Sequence, residues 1–386
     1  MKKLVVALMV FAMLAGCSAN GGGSTAGDGY KIGLHYELTG EVADYGQAEL
    51  EGSKLAIKIA NANLGEDKYD TVEYDNTSST TEAVTIATKL AQDGVIGVVG
   101  PATSGASAAT YQILDGAGIP VISPSATANN VTLKNPDDST SAVYNSVFRI
   151  CFEDSYQGAA MAQFAYDNLN AKRVVIYGDS TTDYAKGLTQ AFTTQFENLG
   201  GSIIATEYYV SKDTDFNSTL TKIKDMNFDA IYIPGYYNEA GLIVKQARAM
   251  GIDCPIIGGD GFDSTTLVDL AGTAALNNVY FTTAYTTVGA SSALQAFIDA
   301  YKAEYNKEPG MFAALAYDAT MLLIEACEQA GSNNTADIQK ALVGMEFDGI
   351  TGSFTFDATH TPIKSVLVVE LVDGVQATAV SVSPKM

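Results

Sequence analysis

Histidine and basic residues are scarce in this 386-residue chain: two histidines, and 22 lysines and arginines against 44 aspartates and glutamates. The first scarcity makes a histidine-based metal centre an unpromising reading. The second, a formal charge of −22, argues against a nucleic-acid partner and against adhesion to anionic lipid through a basic face. Acidity of this size keeps a chain soluble and monomeric. Cysteine is sparse as well: Cys17, Cys151, Cys254 and Cys327 show neither metal-ligand nor redox spacing. Past Cys17 the count is odd. One disulfide stays open, but a core of this size needs no staple, and three buried thiols are the favoured reading. No Gly-x-x-x-x-Gly-Lys phosphate loop is present. Asp213-Thr-Asp-Phe-Asn217 begins like a calcium loop, yet Ser218 stands at the turn glycine and Lys224 at the closing glutamate. No cofactor is therefore expected, and after the first residues no apolar run is long enough to cross a bilayer.

What is present begins at the amino terminus. Lys2 and Lys3 precede the apolar run Leu4 to Leu14, which ends in Leu14-Ala15-Gly16-Cys17. The run is too short for an ordinary spanning helix and has the flanks of an export signal. Its end resembles a lipobox, in which the cysteine sulfur receives a diacylglyceryl group before cleavage. The expectation is a signal peptide at 1–16, a lipid on Cys17, and a flexible tether at 17–29 built on Ser18-Ala-Asn-Gly-Gly-Gly-Ser-Thr-Ala-Gly27. Loss of Lys2 and Lys3 leaves a charge of −24. The location read from this is extracytoplasmic, lipid-anchored to the bacterial cell membrane. A soluble domain held there on a tether is most simply a receptor.

The remaining chain is too long for one ordinary core and comfortable for two. Strands are expected at 31–35, 71–75, 95–99 and 120–123, separated by helices near 46–63, 80–93 and 105–117. The alternation restarts with strands at 173–177, 202–205, 230–234 and 255–258 and helices near 156–169, 184–199, 216–226 and 238–250. Helices near 292–305, 312–330 and 336–343 follow, then late strands at 365–371 and 375–380. Repeated βαβ units imply parallel sheets covered by helices. The fold class is α/β, with two doubly wound parallel-sheet domains. The polar segment 133–146 is expected as a loop before the chain crosses between them.

Open α/β sheets bind ligands beyond the carboxyl ends of their strands. Two loops at such ends are rich in glycine and hydroxyls: Gly100-Pro-Ala-Thr-Ser-Gly-Ala-Ser107, opening a helix, and Ser123-Pro-Ser-Ala-Thr-Ala128. Free N–H groups and a helix dipole suit them to a carboxylate or phosphate. Singly, Ser104 and Thr127 are as well explained as helix caps; together they point to a site.

Several further segments occur in a familiar order: Leu38-Thr-Gly-Glu-Val-Ala-Asp-Tyr-Gly-Gln47 with Glu51-Gly52, Val99 to Ser104, Ile122 to Thr127, Phe148-Arg149 with Asp154-Ser-Tyr-Gln-Gly158, Asp183-Tyr184-Ala-Lys-Gly187, Gly235-Tyr-Tyr-Asn-Glu239 with Gln246-Ala-Arg248, and Gly258-Gly-Asp-Gly261. Over about residues 30–380 the chain resembles the leucine/isoleucine/valine-binding proteins, type I periplasmic binding proteins that serve amino-acid ABC transporters. The resemblance implies two lobes joined by a three-crossover hinge, 30–148 with 284–354 and 149–283 with 355–386. It implies that Ser104 and Thr127 hold an α-carboxylate, that the Ser125 carbonyl and Asp260 hold an α-ammonium, and that Tyr45, Tyr184, Tyr236 and Phe312 form aromatic walls. The partners it implies are an amino acid, branched-chain or similarly apolar, and the membrane permease of an ABC importer. Asp260 stands where branched-chain members carry glutamate, Phe312 replaces a tyrosine, and Thr103 occupies one position of the family's paired cysteines. No covalent chemistry is implied.

The bland readings stand beside these. Aspartate in Gly-Gly-Asp-Gly is a common turn former, and 21 tyrosines in a chain without tryptophan put some near any cleft. Glu239 is expected to cap or face solvent, Arg149 to form an interior ion pair, and His35 to be structural. Other ligands of the same fold, an amide, urea, purine or sugar, remain as alternatives. An enzyme reading rests on Gly178-Asp-Ser180 and Asp357-Ala-Thr-His360, which look like the paired signatures of GDSL esterases. Against it, Ser180 falls in the second domain and His360 reads as an exposed turn.

Overall fold

The computed structural model describes residues 29–129, 131–135 and 138–384. The apolar run before Cys17, Cys17 itself and the tether through residue 28 lie outside the described residues. The first sheet contains β1 (Tyr30–Tyr36), β2 (Tyr69–Asp75), β3 (Gly97–Val99), β4 (Val121–Ser123) and β5 (Val147–Arg149), parallel throughout, in the order β2-β1-β3-β4-β5. Its helices are α1 (Ala43–Leu64), α2 (Thr80–Leu90) and α3 (Ser104–Gly116). The central strands are apolar on both faces because helices cover both.

After α4 (Asp154–Asp167) the second sheet begins with β6 (Arg173–Asp179), α5 (Asp183–Asn198), β7 (Ser202–Tyr209), α6 (Asn217–Lys224), β8 (Ala230–Ile233), α7 (Tyr237–Ala249), β9 (Ile256–Gly258), α8 (Thr265–Ala271) and β10 (Val279–Thr283). The chain then leaves this sheet for α9 (Ser292–Tyr305), α10 (Met311–Ala330) and α11 (Thr335–Leu342), of which α10 packs along α1 over the first sheet. A hairpin of β11 (Glu346–Gly349) and β12 (Gly352–Thr355) precedes the return, in which β13 (Val366–Val372) and β14 (Val375–Val382) join the second sheet. The order there is β14-β13-β10-β9-β8-β6-β7.

Three expectations need correction. The second sheet is not wholly parallel, since β13 runs antiparallel to β10 after the long excursion to the first lobe and β14 antiparallel to β13, the latter as their short hairpin connection requires. The loop expected at 133–146 does not lead straight across, because three residues after it, β5, complete the first sheet. All three described cysteines are free thiols; Cys151 and Cys327 are buried, but Cys254 is half-buried at the end of α7's exit loop rather than in the core.

The tightest helix contact passes through Gly52 of α1. A Cβ there would lie 2.0 Å from the carbonyl oxygen of Ala313 on α10, so backbone meets backbone with no space for a side chain.

Candidate binding cleft

In each sheet the first strand has its successors on either side, β2 and β3 flanking β1, β7 and β8 flanking β6. The switch points so made face each other, and the loops beyond them line one narrow cleft, bounded by Tyr45, Ser104, Ser125, Thr127, Tyr184, Tyr236, Asp260 and Phe312 together with Ala102, Thr103 and Gly261. The eight residues singled out from the sequence are thus brought together.

One wall comes from the loops after β3 and β4. Gly100 turns the chain with φ of 104°, and a Cβ there would meet the His35 carbonyl oxygen at 2.0 Å. Glu37, buried just after β1, accepts the N–H groups of Ala102 (3.0 Å) and Thr103 (3.1 Å) and the Thr103 hydroxyl (2.7 Å), which clamps this loop. Thr103, not Ser104, caps α3, accepting the Ala106 N–H at 3.4 Å. Ser104 accepts the Ala128 N–H at 3.1 Å, tying the two loops together and leaving its own hydrogen free to donate. The Thr127 hydroxyl is buried and faces the Asp154 carboxyl, without a hydrogen bond of good geometry to it. Arg149 forms the expected interior ion pair, with Glu153, and does more: its Nη1 donates to the carbonyls of Ala126 (3.2 Å) and Ala128 (2.8 Å) on either side of Thr127.

The opposite wall belongs to the second sheet. The Tyr184 hydroxyl donates to Asp260 Oδ1 (2.7 Å) and accepts the Gly261 N–H (2.9 Å). Gln157 Nε2 donates to both Asp260 Oδ1 (2.9 Å) and Asp154 Oδ1 (2.8 Å), and the Thr282 hydroxyl fixes the amide by donating to its oxygen at 2.6 Å. Tyr184 stacks on Tyr236 at 5.0 Å, and Tyr45 stacks on Phe312 at 4.1 Å, giving apolar flanks to a polar centre.

The lobes meet across the cleft. Tyr45 donates to the Gly261 carbonyl at 2.5 Å, Tyr237 donates to the Glu41 carbonyl at 2.9 Å, and Asn238 and Ser264 reach Glu41 and Asp44. An exposed Lys212–Glu41 pair at 3.4 Å adds little. This rim latch holds a closed form, with seven of the eight cleft residues buried and Tyr236 half-buried.

Burial sets the electrostatics. It lifts the Asp260 carboxyl to about 6 against the donors Tyr184 and Gln157, and lifts Asp263 nearby to about 7. It also raises Asp154 well above the carboxylate range, with the Asp260 charge adding to the effect. Arg149, whose charge reaches Asp154, is already paired with Glu153. This wall therefore lacks a cation. Facing it, the amino end of α3 and the hydroxyls of Ser104 and Thr127 favour an anion. A zwitterion meets both demands, and without one closure buries carboxyl groups at a cost.

Other sequence assignments change in the folded chain. Glu239 neither caps nor faces solvent; it is buried and accepts the Lys212 N–H at 2.8 Å, because α7 turns it inward. His360 is half-buried, not an exposed turn, and stacks on Phe148 at 4.2 Å with Nδ1 against the Val147 carbonyl at 2.9 Å. The exposed Ser180 donates to the Tyr209 carbonyl at 2.9 Å, so no hydrogen bond joins the two and no triad is assembled from them. His35 is buried, and burial holds its imidazole down near 3, hence neutral. Among the described residues there is no His/Cys/Asp/Glu cluster able to hold a metal. Sequence reasoning missed Glu37 and Glu49 and gave no role to Gln157. The one available signal was Gln157's place in Asp154-Ser-Tyr-Gln-Gly158.

Comparison with known proteins agrees with this geometry. A family model described as "Periplasmic binding protein" matches residues 29–376. The leucine-, isoleucine-, valine-, threonine- and alanine-binding protein of Pseudomonas aeruginosa is 29% identical over 336 residues, 86% of this chain and 87% of that one. Among solved structures, the branched-chain amino acid transporter substrate-binding protein LivJ of Streptococcus pneumoniae, in complex with isoleucine, is 42% identical with a TM-score of 0.86, covering 92% of this chain and 100% of that one. The leucine-binding protein LivK of Thermotoga maritima is 35% identical, TM-score 0.84, with 92% and 99% covered.

Proposed function

Because the chain belongs to the periplasmic binding protein family, we propose that its cleft captures a branched-chain or similarly apolar amino acid and that the protein hands this solute to the permease of an ABC importer. One observation carries the reading: a cation-deficient wall at Asp260 opposes an anion-seeking wall at Ser104 and Thr127, with aromatic flanks between them. Ser104 and Thr127 hold the carboxylate, the Ser125 carbonyl and Asp260 hold the ammonium, and Tyr45, Tyr184, Tyr236 and Phe312 enclose the side chain. The names of the LivJ and LivK relatives support the apolar amino acid as cargo. The lobes of the reading are 30–148 with 284–354 and 149–283 with 355–386. The three passages between them serve as the hinge. A ligand that bridges both walls binds the closed form better than the open one, and that difference drives closure.

A thermal-shift screen of amino acids against small amides, urea, purines and sugars tests this, since a ligand of the native state raises its melting temperature. Leucine, isoleucine or valine is expected to give the largest shift; a purine or sugar doing so overturns the reading. The shift should depend on pH with a definite sign. The Asp260 carboxyl, about 6 in the folded protein, lies above its ordinary 3.8, so its share of the ligand-free stability is present at low pH and is lost as pH rises through about 6. The ammonium needs the carboxylate, so ligand stabilisation appears over the same window. The isoleucine-induced shift at about pH 8 is expected to exceed that at about pH 5; equal shifts at the two values refute the ammonium assignment.

The chain is further proposed to be a monomer anchored outside the cytoplasm by a lipid on Cys17. A serine hydroxyl cannot form the thioether. Cys17→Ser is expected to appear in the soluble fraction or as unprocessed precursor, and a mature-sized variant still in the membrane fraction would refute the anchor.

A further inference from the structure

Beneath the cleft, α1 carries a second acidic side chain that faces inward. Glu49 is fully buried; no ion pair reaches it among the described residues, and its Oε2 has no hydrogen-bond partner. Its Oε1 contacts the hydroxyl of Ser125, which also lies 2.9 Å from the carbonyl oxygen of Ala102. The Ser125 oxygen therefore has two oxygen neighbours and one hydrogen to give. A carbonyl brings no hydrogen of its own, so a contact made to both needs a second hydrogen, and the carboxyl is the group able to supply it.

Resting on the amino-acid reading of the cleft, we propose that Glu49 is a protonated carboxylic acid that donates to Ser125, while Ser125 donates to Ala102, and that this chain is a positioning device for the ligand's two charged ends. Ala102 belongs to the loop after β3, which leads into the anion-seeking end of α3; Ser125 offers its backbone carbonyl to the ammonium. One hydrogen-bond chain from α1 thus sets the distance between the two loops.

The alternative, an ionised Glu49, leaves a buried charge with one oxygen unpartnered, which is disfavoured by several kcal/mol. Its titratable neighbours are Glu37, another carboxyl, and the buried phenol Tyr36; burial above all, with Glu37 adding, pushes the Glu49 carboxyl up against the opposing effect of the Ser125 contact. The proton also serves the ligand. Two ionised glutamates beneath the anion loops would repel the incoming carboxylate, and a neutral Glu49 removes one of them.

Infrared difference spectroscopy of the ligand-free protein, wild type minus Glu49→Gln at neutral pH, is the direct test. A carboxylic-acid carbonyl band in the difference is expected, and a carboxylate band instead overturns the proposal. In Ser125→Ala the acid band should move to higher wavenumber, because the acid loses its acceptor; an unmoved band overturns the contact. The positioning role is read from L-isoleucine affinity. Glu49→Gln retains a donor and should bind about tenfold more tightly than Glu49→Leu, which fills the space without one. A leucine variant that binds as well as the glutamine variant overturns that role. Failure to bind any amino acid would strike the cleft assignment alone, since the infrared bands are measured without ligand.

Discussion

Asp260→Asn is expected to lower the affinity for L-isoleucine by on the order of a hundredfold or more, from the usual penalty of about 3–5 kcal/mol for breaking a buried charge pair. The substitution keeps the shape, and the amide can still take part in the bonds to Tyr184 and Gln157. What it removes is the charge that meets the ammonium in a closed, water-free cleft. Ser104→Ala, by comparison, should cost about 1–3 kcal/mol, because free N–H groups at the start of α3 still hold the carboxylate. Calorimetric titration decides the matter. An asparagine variant that binds like the wild type would show that Asp260 is a turn residue and that the ammonium sits elsewhere.

Gly52→Val should bring a large loss of stability at a position remote from the cleft. The missing Cβ would stand 2.0 Å from a backbone oxygen of α10, and no rotamer change can move a carbonyl out of the way. Valine removes the conformational liability of glycine in a helix, a gain of less than about 1 kcal/mol, whereas overpacking costs about 1–3 kcal/mol and lies at the upper end where the obstacle is backbone. The clash wins. A urea midpoint well below that of the wild type is expected, and an unchanged midpoint would mean that α1 and α10 separate at no cost.

Much of the architecture was legible because the signals were local. The apolar runs of β3, β4, β8 and β9 mark strands covered on both faces, and α1, α5 and α10 are long enough to show helical spacing. Most of the elements missed were short or lightly patterned: β5 has three residues, α8 seven, and each strand of the β11–β12 hairpin four. Seven residues make fewer than two turns, too few for a period to appear. β10, the run Val-Tyr-Phe-Thr-Thr at Val279–Thr283, was missed although its β-branched and aromatic residues mark a strand. In the cleft, Ser104, Thr127 and Asp260 sit in glycine- and hydroxyl-rich turns at strand ends, where the loop chemistry is visible. Their supports are not, since Glu37 reaches a partner 65 residues away, Glu49 one 76 away and Gln157 one 103 away. Such a pairing exists only once the sheets have formed.

The rim latch has a consequence for how this protein discriminates. Apart from the Tyr45–Gly261 bond, whose two residues line the cleft, its contacts, Tyr237 and Asn238 on the Glu41 carbonyl and Ser264 on Asp44, form between the lobes themselves, outside the set of groups that line the cleft. They add the same increment to the closed state whichever solute is inside. Loosening the latch therefore multiplies every dissociation constant by one common factor and shortens every residence time together, while the ratios between competing solutes stay as the cleft sets them.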